Sequence, residues 1–262
     1  MKIRAVLFDL DGVLYEGESA VPGAAEAIRW FLQRKIPHLF LTNTTSRPRR
    51  ALLEKLGRLG IQANLEALFT PPVAARQWLA DPPRDAIALF VPEATRTEFE
   101  GLPLASPEGD RADAVVLGDL GQGWDFSTLN QAFRLLMNEE SCALVALGMT
   151  RYWRAEDGLR LDVGPFVKAL EYATGKEAVV LGKPAAPFFR AALEKLGVSP
   201  EETLMVGDDI RSDIGAAQQL GIRGVLVRTG KFRPADLESG IRPHAVLDSV
   251  AALPDWWRRQ AG

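Results

Sequence analysis

Residues Ala5 to Tyr15 read AVLFDLDGVLY: four apolar residues run straight into Asp9, a second carboxylate follows at Asp11, and then comes Gly12. A short, continuous apolar run reads as a strand buried on both faces, as in a parallel sheet. Asp9 then sits at the carboxyl end of that strand, where open α/β sheets bind ligands. Gly12 lets the chain turn away sharply. Asp9 can serve as a nucleophile and Asp11 as its acid–base partner. Taken alone, an Asp-x-Asp pair is more simply an acidic turn that caps the next element. The rest of the chain decides between the two.

The pattern that follows is an alternation of strands and helices. Ala24, Ala27, Ile28, Phe31 and Leu32 fall at helical spacing, and Pro37 to Leu41 is a strand that ends in Thr42-Asn43. Leu52, Leu53, Leu56 and Leu59 make the stripe of a second helix, with Gly60 as its stop, and Ala67 to Phe69 is the next strand. Such a β-α-β-α-β series implies a parallel sheet. The same rhythm returns late in the chain. Ala178 to Leu181 reads as a strand ending in Gly182-Lys183-Pro184, Thr203 to Val206 as one ending in Gly207-Asp208-Asp209, and Gly224 to Val227 and Ala245 to Leu247 as two more. Between these halves the spacing changes. Strands are expected at 86–91, 114–117 and 142–147, with helices at 126–137 and 165–173. A hairpin pairs Tyr152-Trp153-Arg154 with Leu159-Arg160-Leu161 about the Asp157-Gly158 turn signal. The expected fold is α/β: a Rossmann-like, doubly wound parallel-sheet core formed by residues 1–72 and 178–262, with a smaller α/β domain inserted at 73–177.

Composition narrows the chemistry by exclusion. With 262 residues, 47% hydrophobic and 25% charged, the chain has ordinary globular make-up and can bury a large core. A formal net charge of −3 offers no broad basic field, so nucleic acid is not expected as a partner. No apolar run approaches membrane-spanning length, and the N-terminal run is broken by carboxylates, so neither a signal peptide nor a membrane span is expected. The single cysteine, Cys142, excludes a disulfide within the chain and fits a reducing, cytoplasmic setting. Of the two histidines, His38 lies within a strand pattern and His244 in a late connection, each read as packed or solvated. A His-rich zinc site or a Ser-His-Asp triad has little to work with. Hydrolytic chemistry falls to carboxylates, lysine and a hard cation.

Four strand ends carry polar residues: Asp9 and Asp11; Thr42-Asn43; Lys183; and Asp208-Asp209 with Asp213 just beyond. In a parallel sheet these ends share one edge. Singly, each has a plain structural reading: a turn or cap at Thr42-Asn43, a solvated charge at Lys183, helix capping at Asp208, Asp209 and Asp213. Jointly they support phosphoryl transfer. Asp9 would attack phosphorus to give an aspartyl-phosphate, and Asp11 would protonate the leaving oxygen and then activate water. Oxygen ligands from Asp9, Asp208 and the backbone carbonyl of Asp11 suit Mg²⁺. Thr42 would hold a phosphate oxygen and Lys183 would add positive charge. Asp209 and Asp213 would orient metal waters or Lys183.

The segments DLDGVLY, LTN, GKP and GDDIRSD, in this order, resemble the four motifs of haloacid dehalogenase-like phosphatases. The insertion between Thr42-Asn43 and Lys183 resembles the type II (IIA) cap of the NagD-like and p-nitrophenyl phosphatase-like branch. LDVGPFVKALEYATGKEAVVLGKP and VRTGKFRPAD are most similar to phospholysine phosphohistidine inorganic pyrophosphate phosphatases and their hydrolase-domain-containing relatives. The resemblance implies a Mg²⁺-dependent phosphatase of a small phosphorylated molecule, with Asp9 as nucleophile, Asp11 as acid–base and carbonyl ligand, and Asp208 as metal ligand. It implies Thr42, Asn43 and Lys183 as phosphate contacts. Substrate choice is expected of the inserted domain, through Tyr152, Trp153, Arg154 and Arg160, although the aromatics could instead pack the hairpin and the arginines be solvated. Trp256-Trp257 is expected to pack a terminal helix on the core; an exposed pair would mark a homodimer contact. Two other readings remain: a haloacid dehalogenase, which has no use for Asp11 or a metal cluster, and a non-catalytic phosphate-binding or interaction module on the same scaffold.

Overall fold

In the computed structural model, which describes residues 3–106, 109–155 and 157–261, the run Ala5–Asp9 is an interior strand with every residue buried. It lies in a six-stranded sheet ordered Ala245–Leu247, Arg223–Val227, Thr203–Gly207, Ala5–Asp9, His38–Leu41, Leu68–Phe69. All neighbours pair in parallel. Parallel strands need long crossovers, and amphipathic helices supply them. The helix Ala24–Gln33 buries Ala24, Ala27, Ile28 and Phe31, one apolar stripe. The helix Ala186–Leu196 buries Phe188, Phe189, Ala192 and Leu193 and ends on Gly197 in the left-handed region, where glycine carries no Cβ penalty. Trp257 packs edge-on against Phe31, ring centroids 5.3 Å apart, and Trp256 is buried beside it. The tryptophan pair therefore fastens the helix Leu253–Ala261 to the core, and the homodimer reading loses the exposed pair it rested on.

The chain divides into two compact units. The first comprises the chain up to Thr42, Arg49–Phe69, and the chain from Lys183 on; the second comprises Asn43–Pro48 and Thr70–Gly182. The second unit has its own four-stranded parallel sheet, ordered Val179–Val180, Ala143–Ala146, Ala114–Leu117, Ile87–Phe90. The helices Phe126–Asn138 and Val163–Thr174 supply Leu135, Leu136, Val167 and Leu170 to its core. Cys142 is buried among them, and burial pushes its thiol up to about 11, so it is an inert hydrophobe. Tyr152–Ala155 and Gly158–Leu161 pair antiparallel as the expected hairpin. An unforeseen helix, Pro71–Ala80, begins the longer segment of this unit, with proline in its first turn.

One expected strand lies in the other sheet. Val179 and Val180 pair with Val145 and Ala146 of the second unit, not with any core strand. The helix Val163–Thr174 is the crossover that delivers them beside Ala143–Ala146, so this short strand completes the inserted sheet and the chain returns to the core only at Lys183. Lys183 is thus not at the end of a core strand.

Candidate active site

The strand register brings the first components together. Asp9 is opposite Leu41, so Thr42 is one residue beyond it on the neighbouring strand; Phe8 is opposite Val206, so Asp208 is just beyond on the other side. Asp9, Thr42 and Asp208 are all buried at this shared carboxyl edge. Lys183 comes from outside the sheet. Its ammonium donates to Asp9 Oδ1 at 2.6 Å and to Asp213 Oδ1 at 2.8 Å. All three side chains are buried. Burial pulls the Lys183 pKa down, but the carboxylates of Asp213 and Asp9 outweigh it and hold the ammonium charged, above its ordinary value.

Among the described residues, carboxylate oxygens of Asp9, Asp208 and Asp213 lie within 4.8 Å of one another. Burial raises the pKa of Asp9 despite the attraction of Lys183. Burial likewise pushes Asp208 and Asp213 up to about 6. The three do not have the same capacity to ligate. Asp213 Oδ1 accepts from Lys183 and Oδ2 accepts from the Asp209 amide at 3.3 Å. Asp208 Oδ2 accepts from the Lys231 amide at 2.7 Å, while Oδ1 is buried with no hydrogen-bond partner. A buried carboxylate oxygen left unpartnered is costly unless something absent from the protein completes it. A buried, all-oxygen donor set of this kind fits a hard divalent cation, with Asp9 and Asp208 able to hold it.

The remaining expected residues separate. Asp209 caps the wide helical turn Ile210–Gly215: its Oδ1 accepts from the amides of Arg211 and Ser212, both at 2.9 Å. Burial raises its pKa, but those amide bonds prevail and hold it below the usual carboxylate range. Asp11 is exposed in the turn after the first strand and lies outside the carboxylate cluster. Asn43 is exposed and begins the second unit. Within that unit, Tyr152 and Trp153 are solvent-exposed on the hairpin, with Leu159 and Leu161. Arg160 is engaged in a two-pronged pair with Asp157, at 2.6 and 3.0 Å. The side chain of Arg154 lies outside the described residues.

The motif reading missed what holds the cluster in place. A Cβ on Gly207 would come within 2.6 Å of Asp213 Cγ, so glycine before Asp208 is what admits Asp213. The loop after Arg223–Val227 supplies Thr229, Gly230 and Lys231, whose contacts with Gly12, Glu16 and Asp208 close the site on one side. The available signal was the TGK sequence following a strand parallel to Thr203–Gly207, hence at the same edge.

Residues 6–104 match the family Haloacid dehalogenase-like hydrolase, and residues 180–253 match HAD-hydrolase-like. Haloacid dehalogenase-like hydrolase domain-containing protein 2 of Bos taurus is 42% identical over 245 residues, 94% of this chain and 91% of the relative. The chain belongs to the haloacid dehalogenase-like hydrolases. The phospholysine phosphohistidine inorganic pyrophosphate phosphatase of Rattus norvegicus is 39% identical over 258 residues, covering 97% of this chain and 93% of its own. Among solved structures, p-nitrophenyl phosphatase from Archaeoglobus fulgidus superposes with a TM-score of 0.86 at 25% identity, covering 98% of this chain and 100% of that one. The family inferred from the four motifs and the branch inferred from the inserted domain are borne out, and so is the α/β fold.

Proposed function

We propose that this haloacid dehalogenase-like hydrolase is a Mg²⁺-dependent phosphatase that cleaves a small phosphorylated molecule through an aspartyl-phosphate on Asp9. The observation that carries the reading is the buried Asp9–Lys183–Asp213 network beside the unpartnered Oδ1 of Asp208. Asp9, Asp208 and the Asp11 carbonyl would hold the cation, which when bound would neutralise charge on the nucleophile and the phosphoryl oxygens.

The protein's own groups do the rest. Lys183 fixes one oxygen of Asp9, leaving the other to attack phosphorus. As the phosphorus–oxygen bond to the leaving group breaks, the Asp11 carboxyl gives that oxygen its proton. Asp11, now a carboxylate, takes a proton from water; the water oxygen attacks phosphorus, and the bond to Asp9 breaks to release inorganic phosphate. The exposed position of Asp11 leaves its side chain open to reach a leaving group. The hydroxyl of Thr42 and the side chain of Asn43 would hold phosphoryl oxygens.

Phosphomonoesters are the first substrate class, and pyrophosphate or an N-phosphoryl compound the next, following the names of the relatives. The inserted domain, read as 73–177, would act as the cap that selects the leaving group. Tyr152 and Trp153 are available for stacking because the hairpin leaves them exposed. Arg160 would be less free, given its pair with Asp157. The lone, buried Cys142 fits a cytoplasmic enzyme.

Phosphate release from a panel of phosphometabolites, including p-nitrophenyl phosphate, pyrophosphate and phospholysine, tests this with Mg²⁺ and with EDTA. Wild-type turnover should vanish with EDTA, and Asp9→Asn should release no phosphate above the buffer rate. Equal activity of the two proteins would overturn the mechanism, and undiminished turnover in EDTA would overturn the metal requirement.

A further inference from the structure

Three contacts converge on Asp208 and on the turn that carries Asp11, all from the loop after the strand Arg223–Val227. The Lys231 amide donates to Asp208 Oδ2 at 2.7 Å. The Gly230 amide donates to Glu16 Oε1 at 2.6 Å. The Thr229 hydroxyl donates to the carbonyl of Gly12. Each of the last two spans more than 200 residues of sequence. The approach is close enough that a Cβ on either Gly12 or Gly230 would run into the Asp208 carboxylate, and both glycines have positive φ, 84° and 64°. Only glycine accepts such crowding and such a backbone at once.

These bonds fix more than the loop. Gly12 N–H donates to the Tyr15 carbonyl at 2.7 Å, and Gly12 C=O accepts from Thr229, so both backbone groups of Gly12 are held. A trans peptide is planar, and the Asp11 carbonyl lies opposite the Gly12 N–H. The Gly12 N–H bond to Tyr15 therefore fixes the direction of the Asp11 carbonyl, and the Thr229 bond anchors the next peptide of the same turn. On the Asp208 side, the Lys231 amide occupies Oδ2 and leaves the buried Oδ1 as the oxygen without a partner.

We propose that Thr229 and Glu16 are positioning residues for the cation. They hold loop 229–231 against the turn Gly12–Glu16, so that the Lys231 amide orients the Asp208 carboxylate and the Asp11 carbonyl keeps its direction. Neither side chain touches the cation. The inference rests on the reading of Asp208 as a metal ligand given above. Outer partners of ligating groups commonly change metal affinity by about 10–100-fold when removed. A loop contact with a purely packing role would change stability and leave affinity alone.

The test is isothermal titration of the full-length protein with Mg²⁺, alongside thermal unfolding of each variant without metal. Thr229→Val removes the hydroxyl at nearly constant shape, and Glu16→Ala removes the acceptor of the Gly230 amide. Each should bind Mg²⁺ about 10-fold more weakly or worse. Thr229→Ser, which keeps the hydroxyl, should bind as the wild type does. Wild-type affinity in both Thr229→Val and Glu16→Ala overturns the proposal, whatever happens to stability. If Thr229→Val does not fold, Glu16→Ala, altered at an exposed side chain, decides alone. Asp208→Asn separates the two levels. If it binds Mg²⁺ like the wild type, the metal-site reading itself fails; if it loses Mg²⁺ while the other two keep it, only the positioning role fails.

Discussion

Lys183 is one cation serving two buried carboxylates, and its removal should be felt at both. The ammonium attracts Asp9 and Asp213 and lowers pKa values that burial raises. Lys183→Met would leave both carboxylates buried without that partner; breaking a buried ion pair from one side costs about 3–5 kcal/mol. The loss should depend on pH in a definite sense. A carboxyl whose folded pKa is raised contributes stability that is present at low pH and fades as pH rises through that value. Without Lys183, the pKa values of Asp9 and Asp213 rise further, so the deficit of the variant should widen with pH. Urea unfolding at about pH 5 and about pH 7.5 measures it; a deficit that is equal at both, or smaller at the higher, would contradict the electrostatic account. At this scale, Asp9, Thr42 and Asp208 were legible because each follows an apolar run directly. Lys183 was read as the end of a core strand, but the strand before it belongs to the other sheet. Gly230 and Thr229 were not identified because their partners are over 200 residues away, and no local pattern encodes such a contact.

The elements around the site do structural work that resembles catalysis in sequence. Asp209 lies next to Asp208 in an acidic motif, yet its carboxylate caps the turn Ile210–Gly215 through the Arg211 and Ser212 amides. Asp209→Ala should cost about 1 kcal/mol of stability, and Asp209→Asn much less, because asparagine caps comparably. The Lys231 ammonium, 4.0 Å from Asp209 and exposed, should add little to the difference. Thermal denaturation of the two variants gives the answer, and equal losses would mean that charge, not capping, is what the position needs. The same turn supplies Asp213 to Lys183, so capping and chemistry share one segment. Periodicity found the helices readily, since a stripe such as Ala24, Ala27, Ile28 and Phe31 is local information. It could not assign Val179–Val180 to a sheet: two apolar strands of the same length and composition differ only in which neighbour they pair with, and that is decided by the helix preceding them.

For the whole molecule, folding concentrates acid where the chain cannot neutralise all of it. Burial pushes Asp208 and Asp213 up to about 6, and Lys183 offsets only part of the charge gathered with Asp9. In the metal-free protein these groups favour the folded state when protonated, and that contribution disappears as pH rises through about 6. His38 has the opposite sign. Burial lowers its pKa, with its Nδ1 against the Ile36 carbonyl, so its contribution is present above the unfolded value of 6.5 and lost as pH falls. A bound cation changes the balance only for the carboxylates, since ligation requires their deprotonated form. Mg²⁺ should therefore stabilise the fold more at about pH 7.5 than at about pH 5, where protons compete for Asp208 and Asp9. At a hundredfold excess over the dissociation constant the gain is about 2.7 kcal/mol, several degrees in the unfolding midpoint. His38→Phe should leave this difference between the two pH values intact, whereas Asp208→Asn should abolish it. An equal Mg²⁺ shift at both pH values in the wild type would show that the cation is held elsewhere, and that the unpartnered oxygen of Asp208 is not its ligand.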